Sequence, residues 1–168
     1  MSALTELSSA VQQRRSDMGL SQTRLAKLSG LSRATVNELE KGKINDLSIR
    51  RTAQLLGVLG LSLNISAPRP KSRKSEGKSP ALDLAARLAS VSYRESISAH
   101  ELQQGLLTGE YPDKFTPHVR TFLDEASVTM LAGVVEQLHQ ENGVDRVEAW
   151  QRMREMARVL KTIRAIWQ

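Results

Sequence analysis

The 168-residue chain contains no cysteine. That excludes disulfides, thiolate metal sites and cysteine nucleophiles, and it fits a reducing cytosol. Aromatic residues are scarce, 4% of the chain against 40% hydrophobic and 25% charged, so one or two mainly aliphatic cores are expected. No uninterrupted apolar run approaches the roughly 20 residues that span a bilayer. The first twenty residues show no basic stretch followed by an apolar one. A secretion signal is therefore not expected, and the chain reads as cytoplasmic. A phosphate-cradling glycine loop is also missing. His100, His118 and His139 are scattered, with no serine or aspartate at catalytic spacing. Glu136 and His139 share a helical face as an E-x-x-H, yet a di-metal bundle needs a second such motif, and none follows. No catalytic residue, metal site or cofactor is expected, and the chain reads as a binding protein rather than an enzyme.

What is abundant is positive charge, and it is unevenly placed. Residues 1–66 carry nine basic and five acidic side chains, residues 67–79 five against one, and residues 80–168 ten against twelve. The positive field belongs to the first half and the segment after it, as expected of a surface that meets a polyanion. Arg152, Arg154, Arg158, Lys161 and Arg164 gather near the C-terminus. They read as a solvated face that complements a helix dipole, or as a dock for an acidic partner.

The stretch Ala67 to Pro80 holds three prolines, three serines and five basic residues, and too little apolar surface to offset its ordering entropy. It predicts a domain at 1–66, a basic linker at 67–79 and a second, helical domain at 80–168. Leu4, Leu7 and Val11 share a helical face that Gly19 ends. Ser21 caps a second helix around Leu25 and Ala26, stopped by Gly30. Ser32 caps a third with Val36 and Leu39 inward, stopped by Gly42. Ser48 starts a fourth with Ile49, Ala53 and Leu56 inward, and Gly60 ends it. Leu61 to Ile65 then alternates at period two, which predicts a strand.

Beyond the linker the pattern is helical throughout. Ser79 and Pro80 predict a cap and first turn ahead of Leu82, Ala85, Ala86 and Ala89. Ser98 and Glu101 form a capping-box pattern. One long segment from Thr116 to Asn142 follows a break at Gly109 to Pro112. A last helix opens at Asp145 and carries Trp150, Met153, Ala157, Leu160, Ile163 and Trp167 inward.

The informative segment is Leu20 to Lys43, two short helices joined at Gly30. The second of them, Arg33 to Lys41, is narrow enough to enter a DNA major groove. Its outward residues sort by chemistry. Arg33 can donate bidentately to guanine, Ala34 can meet a thymine methyl, Thr35 and Asn37 can bond bases or phosphates, and Glu38 can accept from cytosine. Lys41, Lys43 and Asn45, just past the helix, suit phosphates, which set register without reading sequence.

Ser21-Gln22, Leu25-Ala26, Gly30, Val36, Leu39 and the Glu40-Lys41-Gly42 ending, at this spacing, resemble the helix-turn-helix of phage-repressor and Cro-like (Xre) regulators. The resemblance covers roughly residues 4–66. It implies a four-helix, lambda-repressor-like domain. It also implies that Gln22 touches the DNA backbone, and that Arg15 and Glu40 form a partly buried ion pair outside the contact set. The run from Gln54 into the expected strand is similar to HipB-type antitoxins, which implies a strand pairing across a homodimer axis. The expectation is thus an all-α fold with one short strand after the fourth helix and a separate helical C-terminal domain. The function expected is a sequence-specific repressor that binds an inverted repeat in double-stranded DNA as a homodimer. It would be the antitoxin of a toxin–antitoxin pair regulating its own promoter. The alternative is a regulator whose residues 80–168 sense a small molecule or only oligomerise. No membrane partner is expected.

Overall fold

The computed structural model describes residues 3–64 and 80–167. Among these residues the secondary structure is helical: α1 (Ala3–Asp17), α2 (Gln22–Ser29), α3 (Arg33–Glu40), α4 (Ile49–Val58), α5 (Ala81–Ser90), α6 (Ala99–Thr108), α7 (Thr116–Glu125), α8 (Val128–Asn142) and α9 (Arg146–Val159). A single 3-10 turn, Asp113–Phe115, leads into α7. The predicted linker at 67–79 and the predicted cap Ser79 lie outside the described residues; Pro80 occupies the cap position of α5 without a side-chain bond.

Most helices begin where a short polar side chain can accept from an orphaned backbone N–H. Ser21, Ser32, Ser48 and Ser127 each accept from the residue three positions on, and Asp145 accepts from Val147 and Glu148. Each cap contributes about 1 kcal/mol. The Ser98 and Glu101 capping box closes in both directions.

The predicted strand is not there. Gly60 takes φ +66°, its N–H donates to the Gly57 carbonyl at 3.2 Å, and the Leu61 N–H reaches back to Leu56 at 2.8 Å. The first residue of the expected strand thus closes α4 through a paired C-terminal hydrogen-bond motif. Leu61 packs against the core, Leu63 is 57% exposed, and no strand occurs among the described residues; Ile65 lies outside them. The alternation at 61–64 therefore records one inward leucine, not a ladder.

Three further expectations shift. In α4 the inward residues are Leu55, Leu56 and Leu59, while Ile49 is 78% exposed and Ala53 lies outside too. The segment from Thr116 to Asn142 breaks in two, because Ala126 turns extended and Ser127 caps α8. The last helix ends at Val159: Lys161 adopts φ +55°, and the Thr162 N–H returns to the Ala157 carbonyl. Trp167 is nonetheless buried, whereas Ile163 is exposed.

Val11, Met18, Leu25, Val36, Leu39, Leu55 and Leu59 fill the space between α1 and α4, and Leu102, Phe122, Leu131, Trp150 and Met153 do so among α5–α9. The two sets join in one contiguous apolar cluster. Where the halves meet, α1 packs on α9 and α4 on α8. A Cβ on Gly60 would stand 2.8 Å from the Val128 carbonyl oxygen, so the backbones touch there. Arg154 lies over Gly19 and donates to the Met18 carbonyl, and Arg24 of α2 donates to the Ala165 carbonyl.

The C-terminal arginines are largely turned inward. Arg152 donates to the Leu106 and Leu107 carbonyls at the end of α6, Arg154 caps α1, and Arg164 reaches the Leu123 and Ala126 carbonyls at the end of α7. Each supplies a cation where helix carbonyls lack partners. Burial lowers the Arg154 and Arg164 pKa values from the ordinary arginine range, with Arg158 adding to the effect on Arg154.

Candidate nucleic-acid interface

Two serine caps and two left-handed glycines build the α2–α3 unit. Ser21 starts α2, Gly30 at φ +68° ends it, Ser32 starts α3, and Gly42 at φ +65° ends that. The turn leaves Val36, Leu39 and Glu40 buried and faces Arg33, Ala34 and Glu38 outward. Arg33, in the first turn of α3, is exposed, as are Ala34 and Glu38. Asn37 is half-buried. Gln22, Arg33, Ala34 and Asn37 together line one open depression. Four of the nine expected contact residues thus converge on one surface feature. Lys41, Lys43 and Asn45 are exposed on the segment after α3, outside that lining.

Thr35 is half-buried, and its hydroxyl lies 2.8 Å from the Ser32 hydroxyl. Gln22 is also engaged: its amide nitrogen donates to Glu40 at 2.9 Å. Arg15 completes this network, with Nε donating to Glu40 at 2.6 Å, Nη2 at 3.0 Å and Nη1 to the Leu20 carbonyl at 2.8 Å. The Arg15–Glu40 pair therefore forms, with only 3% of the glutamate side chain exposed. Burial alone would raise the Glu40 pKa. The hydrogen bonds from Arg15 and Gln22 and the Arg15 charge outweigh it, so the carboxyl sits below its usual range. The network ties α1 to α3 and fixes one edge of the depression through Gln22.

Electrostatics around the unit adds two residues that the sequence reading passed over. No acidic residue stands in the first turn of α2, α3 or α4, nor in that of α7 or α8, whereas Asp83, Glu101 and Glu148 occupy that place in α5, α6 and α9. The first turn of α4 instead carries exposed Arg50 and Arg51. Cations at a helix N-terminus oppose the helix dipole unless an anion joins them. The signal was legible as two arginines two and three residues after a capping serine.

The other candidates are committed elsewhere. Glu136 accepts two bonds from Arg146 at 2.9 Å, which with help from Gln140 depresses its pKa to about 2. His139 Nδ1 lies 2.8 Å from the Val144 carbonyl oxygen. His118 is buried between Tyr93 and Phe115, its Nε2 2.7 Å from the Glu95 carbonyl oxygen. No group of three metal-binding side chains occurs among the described residues, and no described helix is long and apolar enough to cross a membrane.

No curated protein matches the chain, and no solved structure does. Residues 1–68, which include α1–α4, match a helix-turn-helix domain family, which supports a DNA-binding regulator.

Proposed function

We propose that the chain is a sequence-specific transcriptional repressor that binds its operator as a homodimer and acts by occupancy rather than catalysis. The observation that supports this best is the exposed face of α3. Arg33, Ala34, Asn37 and Gln22 converge in one depression, and the first turns of α3 and α4 carry arginines and no acid. Base-reading donors and phosphate donors are both present there, as specific recognition requires. Residues 80–168, with ten basic against twelve acidic residues and several arginines spent on helix carbonyls, form the partner-binding half in this reading. An autoregulating antitoxin is the form of it in which that half holds a toxin.

The test is footprinting of genomic fragments selected by the full chain. Two protected half-sites about 10 base pairs apart, or a multiple of that, are expected, because a two-fold dimer faces one side of the duplex. Binding without sequence preference would overturn the reading. Purification from the native cell then separates the roles of the second half. A protein eluting at fixed ratio marks the antitoxin, and a dissociable metabolite marks a sensor.

A further inference from the structure

α5 is apolar almost all the way round. Leu82, Ala85, Ala86 and Ala89 face the core. Leu84, Leu88 and Val91, at helical spacings of four and three, form a second stripe on the opposite side. Leu84 is 43% and Val91 80% exposed, and Leu88 is half-buried. A helix hydrophobic on every side is normally enclosed. Here α6, α7 and α8 cover only one side of it.

Charge indicates what covers the other. Asp83 stands near the start of the helix, with Arg87 toward its end and Arg94 just beyond. Asp83 and Arg87 are spaced to pair with each other, yet no ion pair involves them or Arg94 among the described residues. An antiparallel contact between two copies of α5 sets Asp83, at one end of the stripe, toward Arg94, at the other end of the second copy's stripe. Exposed Ile49 lacks this complementarity: it is followed by Arg50 and Arg51 on a helix without an acid, so a two-fold contact through it would press like charges together. Beside exposed Val159 the one acid of that turn, Glu155, is already held by Arg158.

We propose that two copies of this chain associate through α5, with Leu84, Leu88 and Val91 of one packed antiparallel on the same residues of the other. Asp83, Arg87 and Arg94 form the charged border. Stable interfaces bury about 800 Å² per partner, more than one short stripe supplies, so this border belongs to the contact. The proposal rests on the homodimer in the proposed function and names its interface. Since α8 and α9 hold the reading domain against α5–α9, the α5 contact sets the distance between the two reading helices.

Sedimentation equilibrium of the full chain tests it. The natural protein should be a dimer, and Val91→Glu should weaken association roughly 100-fold or more, because an isologous contact suffers the change twice. Its circular dichroism should not change, since Val91 is 80% exposed on the single copy. Leu84→Glu should act in the same way. Asp83→Lys should also weaken the dimer, and adding Arg94→Glu should restore it. On DNA, Val91→Glu should retain affinity for a single half-site and lose the gain from two. A Val91→Glu protein that remains dimeric at natural strength, with Ile49→Glu monomeric, would overturn the α5 interface and leave the homodimer intact. A natural protein monomeric both free and on DNA would overturn the homodimer itself. Loss of a co-purifying protein from Val91→Glu without loss of the dimer would assign the stripe to that protein and overturn the proposal.

Discussion

Glu40 is nearly out of water yet ionised, because three donors hold it. Its lowered pKa fixes the sign of its acid response. The stability it contributes is present above the unfolded carboxylate value and is lost as pH falls through its own lower one. Glu136, held by Arg146 at about 2, behaves likewise. Urea titrations should therefore show wild type and Glu40→Gln converging in stability as pH falls below about 4. At neutral pH, Glu40→Ala should cost about 3 kcal/mol, the low end for stranding a buried partner, since Arg15 remains partly solvated. At the reading face, Arg33→Ala should cost about 1–3 kcal/mol on the operator and flatten preference at one base pair per half-site. Lys43→Ala should instead weaken all sequences alike and reduce the salt slope by about one unit. Fluorescence anisotropy across a salt series separates the two. Equal losses on operator and random DNA would make Arg33 a phosphate contact.

At the scale of elements, helix starts and stops were legible wherever a residue type carries its own signal. Ser21, Ser32, Ser48, Ser98 and Asp145 cap as their spacing predicts, and Gly19, Gly30, Gly42, Gly60 and Gly109 all take positive φ. Ends without such a residue were not. Lys161 terminates α9 in a left-handed conformation that few lysines adopt, and burial of Trp167 on the Leu123 carbonyl explains what holds it there. Ser127 was overlooked because Val119, Phe122, Ala126, Met130, Val134 and Leu138 continue one helical period across the break. Ser127→Ala should cost about 1 kcal/mol and lower the melting temperature by a few degrees, as for other caps. The strand failed for a different reason: alternation over the five residues Leu61 to Ile65 cannot distinguish a ladder from a helix ending with one leucine tucked under it. Of the candidate site, the α3 face could be read from helical period alone. The engagement of Gln22 by Glu40 could not, because it depends on how α2 and α3 cross.

At the scale of the whole molecule, the question is whether the reading domain and residues 80–167 melt as one body. Their apolar residues form a single cluster, Arg154 and Arg24 bolt the halves in opposite directions, and Gly60 lets two backbones touch. A single calorimetric transition is expected, with equal van't Hoff and calorimetric enthalpies. Gly60→Ala isolates the contact, provided backbone strain is subtracted, since any side chain at φ +66° is strained. Gly143 supplies the control. It has φ +69° and nothing within 4 Å of a Cβ, so Gly143→Ala suffers the strain alone. Gly60→Ala adds a Cβ 2.8 Å from the Val128 oxygen and 3.0 Å from its carbonyl carbon, backbone atoms that move only if the halves part. Gly143→Ala should lower the transition by the cost of about 1 kcal/mol and keep it single. Gly60→Ala should lower it further and split it in two, with the earlier melt in the less stable half. Equal shifts and single transitions in both variants would show that the halves yield at this contact without separating.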